Sequence, residues 1–217
     1  IRDRYTALGG FLAASTTDFI QSIIMSVALI IVFIFGINIA GGIPAVVENA
    51  QSLPGYLTMM TTYDPVAGVE QPYPIINIIS MIAWGLGYFG MPHILLRFMA
   101  IEDKEKLTLS RRVASIWVVI SMAIAVSIGI VGYAMTKANA IPFLEGSTSE
   151  TIIVRIADLL SQQGAVAAFV AGIILAGILA ATMSTADSQL LAASSSVSQN
   201  LLRGFFKVNI SEKTAMT

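Results

Sequence analysis

A cluster of hydroxyl groups interrupts the last long apolar segment of the chain. In the stretch LAATMSTADSQLL, a helix would place Ala181, Ser184 and Ser188 on one face, with Thr185 one step round. Hydroxyl oxygens and a backbone carbonyl are ligands that hard cations prefer. A single hydroxyl could simply bond the carbonyl four residues earlier, but a cluster within two turns indicates a cation site. The alternative is tight helix packing, because small residues recur at every fourth position over 164–196.

A carboxylate, Asp18, lies within the first long apolar segment, in the stretch STTDFIQS. A charged group at that depth is costly and by default indicates an ion or proton path. The alternative is an interfacial carboxylate paired with Arg2 or Arg4. Asp187 lies near the end of the last apolar segment, where contact with water alone could explain it.

The stretch AWGLGYFGMPHILLRF, at 83–98, contains glycines and a proline in the middle of an apolar segment. Such residues free backbone groups from the helix, which a membrane tolerates only where they line a cavity or are buried in protein. Broken helices of this kind bind substrate and ions in secondary transporters. Trp84 and Tyr88 share a face beside the break and could cover a small solute, although packing is the commoner role of such pairs. The one histidine, His93, is assigned no site role.

The composition is that of an integral membrane protein. Hydrophobic residues make up 56% of the chain and charged residues 12%, and the mean hydropathy is +0.80. These values lie outside the range of soluble globular domains. A net charge of −1 offers no basic surface for nucleic acid, and the absence of cysteine excludes a thiol mechanism.

Four apolar segments are long enough to span a bilayer, which takes about 20 residues for about 30 Å of hydrocarbon. They lie near 9–40, 75–100, 112–136 and 164–190. The last pattern continues past its apolar part, and we expect 191–217 to form a cytoplasmic end. TIIVRIADLL, at 151–160, predicts a short amphipathic helix against the outer face of the membrane. Because the chain opens with Ile1 and its last span is followed by polar sequence, we interpret 1–217 as a fragment of one domain.

The distribution of basic residues predicts the orientation. With four spans and a cytoplasmic N-terminus, all but two of the 12 Lys and Arg residues fall on the inner side, as the positive-inside rule requires. Both ends of the chain are then cytoplasmic. The two outer residues are Lys137 and Arg155, and the inner ones are Arg2, Arg4, Arg97, Lys104, Lys106, Arg111, Arg112, Arg203, Lys207 and Lys213.

Three long motifs carry a family resemblance. They are GGFLAASTTDFIQ, WGLGYFGMPHILLRFMA and LAATMSTADSQLLAASS. They closely resemble the sodium:solute symporter family, and within it the branch of sodium/proline symporters. The resemblance covers all four spans in the family's order. It implies an all-α membrane fold with four transmembrane helices, part of a five-plus-five inverted-repeat (LeuT-like) transporter. This chain would hold core helices five to eight.

The resemblance implies a sodium site. Ala181, Ser184 and Thr185 match the family's sodium ligands on core helix eight, and Asp18 matches an acidic residue of core helix five associated with sodium. Asp187 and Ser188 are weaker candidates. The remaining ligands are expected from core helix one, among the helices of the transporter that this chain does not contain.

The resemblance also implies a solute site. Trp84, Tyr88 and Pro92 match residues of core helix six that are linked to proline binding and gating. Met91 stands where Gln is expected in a proline transporter, which leaves the identity of the small solute open. Asp187 stands beside the hydroxyl cluster, where small polar residues are also found in the family, and leaves the number of coupled ions open.

The function expected from these residues is sodium-coupled symport of a small amino acid, such as proline, by alternating access in the cell membrane. No covalent chemistry is expected. Its partners would be the solute, the lipid bilayer and the remaining helices of the transporter. One alternative is a symporter-like sensory domain that precedes a signalling kinase. Another is an intramembrane serine protease, which would require His93 to contact Ser184.

Overall fold

Seven α-helices make up most of the part of the chain that the structure describes. The structure is a computed structural model, and it describes residues 2–207 apart from positions 89, 100 and 102. The helices are α1 (Arg2–Ile39), α2 (Ile43–Ser52), α3 (Ile75–Tyr88), α4 (Pro92–Met99), α5 (Lys104–Lys137), α6 (Ile152–Ser161) and α7 (Ala165–Ser195). A 3-10 turn at Gly146–Thr151 precedes α6, and a π-helical segment at Ser196–Phe205 continues α7.

Three of these helices are long and apolar enough to cross a membrane. They comprise Ser15–Ile39 in α1, all of α5, and α7 with its continuation to Leu202. The pair α3 and α4 makes a fourth candidate span if its two halves are counted as one. The expectation of a mostly helical membrane protein is therefore confirmed, with three or four candidate spans in the described chain.

The long helices begin and end at residues with special backbone geometry. Gly41 and Gly42, with φ of 95° and 94°, end α1 in a conformation that favours glycine. Gly164, with φ of 122°, precedes α7. The side chain of Asp103 accepts a hydrogen bond from the backbone N–H of Glu105 and caps α5. These local signals set where each candidate span enters and leaves its connecting loops.

The break predicted in the second apolar segment is present. Helices α3 and α4 meet at an angle of 52°, and Pro92 starts α4, where a missing backbone N–H costs nothing. A methyl group added at Gly85 or Gly87 would meet nothing within 4 Å. Packing inside the described chain therefore does not explain these two glycines. No residue of α3 is buried.

The apolar core lies at one end of the long helices. Its most deeply buried side chains come from α1, α5, α6 and α7, which pack against one another there. They are Val32, Ile128, Val131, Met135, Ile156 and Ile174. We call this group the apolar end. The predicted amphipathic segment does form a helix, α6, and its buried face contacts α1 and α7.

A two-stranded hairpin corrects the expectation of an all-α chain. Strands β1 (Thr61–Asp64) and β2 (Val69–Pro72) pair antiparallel, with Thr61 opposite Pro72. Asp64 organises the turn, because its Oδ1 atom accepts hydrogen bonds from the N–H groups of Val66 and Ala67 at 2.9 and 3.0 Å.

Aromatic contacts attach this hairpin region to α5. The ring of Tyr133 lies 6.0 Å from that of Tyr56 and 6.1 Å from those of Tyr63 and Phe143, measured between centroids. Such spacings are favourable for aromatic pairs. Burial raises the pKa of Tyr56 above its usual value, as expected for a phenol that loses contact with water. The hairpin region is thus packed against the part of α5 that contributes to the apolar end.

Candidate functional site

Asp18 lies where α1, α4 and α7 meet, and both of its carboxylate oxygens are engaged. Arg97 of α4 forms an ion pair with it, with Nη2 2.5 Å from Oδ2. The hydroxyl of Ser184 on α7 donates a hydrogen bond to Oδ1. Arg97 also donates to the hydroxyl of Ser188 at 3.0 Å. We call these four residues the polar end.

The polar end is only partly shielded from solvent within the described chain. The side chain of Asp18 is 18% exposed, whereas that of Arg97 is 49% exposed. A carboxylate this shielded requires compensation for lost hydration, which a guanidinium and a hydroxyl supply. The ion pair also connects α4, the second half of the broken helix pair, to α1.

The two other predicted cation ligands also lie together. The hydroxyl of Thr185 donates to the carbonyl oxygen of Ala181 at 3.3 Å, which is the local bond that a helical Thr can make without any ion. The bond is long, and a carbonyl oxygen has two lone pairs, so the pair could still offer both oxygens to a cation. With Ser184, one side of α7 presents three such oxygens, and the rest of a coordination shell must come from elsewhere.

Asp18 pairs with Arg97, which the sequence analysis assigns only to the inner basic residues. The alternative partners, Arg2 and Arg4, have side chains outside the part of the chain that the structure describes. A cation on a short apolar helix next to a break was the signal that could have marked Arg97. Its separation of 79 residues from Asp18 hid the contact.

The predicted aromatic pair is formed, but it lies on an exposed face. The rings of Trp84 and Tyr88 are 5.5 Å apart between centroids, with an angle of 48° between their planes. Trp84 is 73% exposed. Pro92 stands at the other side of the break, at the start of α4, and Met91 lies within the break itself.

A cleft of about 850 Å³ extends from Tyr88 to Arg97 and Ser188 of the polar end. Tyr88, Arg97, Thr185 and Ser188 all contribute to its wall, together with residues of α5. His93 also lines it, but the hydroxyl of Ser184 donates to Asp18 and not to this histidine. Asp187 is half-buried on α7, so contact with water alone does not account for it. The cleft wall combines hydroxyls at Thr185 and Ser188 with the ring of Tyr88, and Arg97 connects this wall to Asp18.

Comparison with protein families gives one match that covers nearly the whole chain. The model of the sodium:solute symporter family matches residues 3–217. The sodium/proline symporter of Haemophilus influenzae is 37% identical over 96% of the chain and 40% of its own length. The high-affinity proline transporter PutP of Bacillus subtilis is 37% identical over 96% of the chain and 41% of its own length.

A further relative extends the same pattern. The sodium/proline symporter of Escherichia coli is 35% identical over 96% of the chain and 39% of its own length. The chain thus spans about two fifths of the length of these curated relatives. No solved structure matches it.

Proposed function

Because this chain belongs to the sodium:solute symporter family, we propose that it is part of a transporter that couples sodium entry to uptake of a small amino acid. The observation that carries the proposal is the gathering of Asp18, Ser184, Ala181 and Thr185 beside a broken helix. Relatives named as proline transporters make proline the first solute to test. Members of this family are symporters, and no enzymatic role is proposed.

Sodium would bind against α7. The carbonyl oxygen of Ala181 and the hydroxyl oxygens of Ser184 and Thr185 supply oxygens of the type that hard cations prefer. The oxygen of the Ser184 hydroxyl can bind a cation through a lone pair while its O–H still donates to Asp18, so the carboxylate would attract the ion through Ser184. Asp187 and Ser188 lie close by and would serve as secondary positions on the ion's route.

The rest of the sodium site would come from another helix of the same transporter. The face of α7 that carries the recurring small residues is exposed at Gly172 and Ala176, and a methyl group added at Gly172 would meet nothing within 4 Å. Helices approach each other closely along such faces. This supports a five-plus-five inverted-repeat fold in which the described helices are core helices five to eight.

The solute would bind beside the break between α3 and α4. The helix ends at such a break can direct their dipoles at a charged group of the solute, while Trp84 and Tyr88 offer apolar surface to its body. Pro92 would keep the break open by preventing continuous helix. The cleft between Tyr88 and Thr185 then connects the two sites.

Coupling would follow from linkage between the two ligands. If sodium and solute both favour the same conformation, each raises the affinity for the other by the same factor. Coupled transport then requires that the empty and the doubly occupied forms switch easily between outward-open and inward-open conformations, and that the singly occupied forms do not. In this proposal both ends of the chain and the polar end face the cytoplasm, which the distribution of basic residues favours.

The decisive experiment is uptake of labelled proline by the full-length parent in membrane vesicles. Replacing external sodium by potassium is expected to abolish accumulation, and an imposed sodium gradient is expected to drive it without other energy. Uptake that persists at the same rate in potassium would contradict sodium coupling. Saturable sodium-dependent binding without any uptake would instead favour the sensory-domain alternative.

A further inference from the structure

The polar end already contains a cationic side chain, Arg97, which a sodium site alone does not require. Arg97 Nη2 lies 2.5 Å from Asp18 and 3.0 Å from the hydroxyl of Ser188. Ser184, a proposed sodium ligand, donates to the same carboxylate. The guanidinium and the proposed sodium ligand Ser184 therefore contact the same carboxylate.

A guanidinium and sodium at this distance compete for the same negative charge. Unlike charges within a few ångströms attract, and two cations beside one carboxylate repel each other. The partial burial of Asp18 strengthens both effects relative to bulk water. Occupation by sodium and close pairing of Arg97 therefore oppose each other.

Arg97 is also carried by an element that has room to move. Helix α4 follows the 52° break and is eight residues long, and none of its side chains that the structure describes belongs to the apolar core. Its contacts in the described chain are mainly with α7. Release of the ion pair would therefore free a short helix without disrupting the buried core.

We propose that Arg97 is a positioning residue that occupies Asp18 in place of sodium, holding α4 against α1 and α7 until the ion displaces it. This inference rests on the proposed sodium-coupled function. In the sodium-free form the ion pair keeps Arg97 between the cleft and Asp18. Sodium binding at Ala181, Ser184 and Thr185 weakens the pair and lets α4 move, so ion occupancy is transmitted to the solute half of the broken helix.

The test uses sodium binding to the purified full-length parent in the absence of solute, so that it does not depend on transport. Arg97→Gln keeps hydrogen-bonding capacity but removes the charge, and it is expected to tighten sodium binding about two- to fivefold, as for loss of one partly exposed charge interaction. Arg97→Lys keeps the charge and is expected to stay near the wild-type affinity. In an Asp18→Asn background, Arg97→Gln is expected to give no gain.

A second readout follows the movement of α4. The chain contributes no cysteine, so Ser115→Cys, on the α5 wall of the cleft, can report access of a thiol reagent in a cysteine-free parent. Sodium is expected to speed its labelling, and Arg97→Gln is expected to give the fast rate even without sodium. Weaker or unchanged sodium binding in Arg97→Gln, or labelling that still needs sodium, would overturn the proposal. Absence of any sodium response in the wild-type parent would instead refute the proposed function itself.

Discussion

The two ends of the helix group are built from different interactions. At the apolar end, Val32, Met135 and Ile174 from three long helices are almost completely removed from solvent. At the polar end, the same helices α1 and α7 meet through Asp18 and Ser184, with Arg97 joining from α4. The contrast lies along single helices, because α1 and α7 each take part in both ends.

This division separates stability from function. Close packing of apolar side chains contributes many small van der Waals contacts, whereas a partly exposed ion pair contributes little and can be exchanged for another ion. Segments with few buried contacts are also those that open most easily. The apolar end is therefore suited to hold the helices together while the polar end changes its partners, as a transport cycle requires.

The largest effect is expected at the apolar end. Met135 is 0% exposed, and Met135→Ala would leave a cavity that costs about 2–5 kcal/mol of unfolding free energy. The measurement is thermal unfolding of the purified full-length parent in detergent. Met59→Ala is the matched control, because Met59 is 92% exposed in the loop before β1. Equal loss in both variants would show that the buried end does not carry the stability.

The next effect is expected in sodium binding and not in stability. Loss of a ligand oxygen in Ser184→Ala or Thr185→Ala should cost about 1–3 kcal/mol, roughly ten- to hundredfold in sodium affinity. Thr185→Ser keeps the oxygen and should be mild, whereas Thr185→Val keeps the shape and should behave like Ala. Because Thr185 also bonds its own helix at Ala181, wild-type sodium affinity in Thr185→Val would mean that the hydroxyl serves the helix alone.

Sequence alone could predict the elements that carry both ends. Long apolar runs identify spans because the bilayer demands them, and Gly85 to Pro92 identifies the break because these residues disrupt helices. The hydroxyl cluster at Ser184 and Thr185 could be found in the same way, since its spacing is local. The predicted ligand oxygens at Ala181 and Thr185 are indeed adjacent in the structure.

Contacts between distant segments could not be predicted in that way. The pairing of Asp18 with Arg97 depends on how α1 and α4 pack, and no periodicity within either helix contains that information. Small residues recur at every fourth position of α7, but of its buried residues only Ala192 belongs to that row, whereas Ala171, Ile174 and Gly177 lie beside it. The hairpin at Thr61–Asp64 was missed because its signals are turn residues and not hydropathy.

A smaller effect is expected at the exposed aromatic pair, which belongs to neither end. Trp84→Ala and Tyr88→Ala should weaken solute affinity by about 0.5–1.5 kcal/mol, roughly two- to tenfold. Sodium binding without solute should stay nearly intact, because neither ring contributes an oxygen to the proposed site. Trp84→Phe keeps an aromatic ring and serves as the control. Equal loss of both ligands would show that the rings only hold α3 in place.

The smallest effect is expected from the carboxylate, although it is the group that links the helices. In Asp18→Asn the side chain keeps its shape and can still accept from Ser184, but it no longer attracts a cation. Since Arg97 already neutralises much of that charge, the loss of sodium affinity should be about 0.2–1 kcal/mol, at most about fivefold. Asp18→Glu should retain part of the affinity.

The same variant distinguishes an ion path from a structural ion pair. Sodium binding and thermal unfolding of the full-length parent would be measured together for Asp18→Asn. Lower sodium affinity at unchanged stability places the carboxylate on the ion's route, because a structural pair would contribute to folding in both the presence and absence of sodium. Lower stability with unchanged sodium affinity would show that the Asp18–Arg97 ion pair only stabilises the fold. The polar end and the apolar end would then differ in their interactions, but both would serve stability.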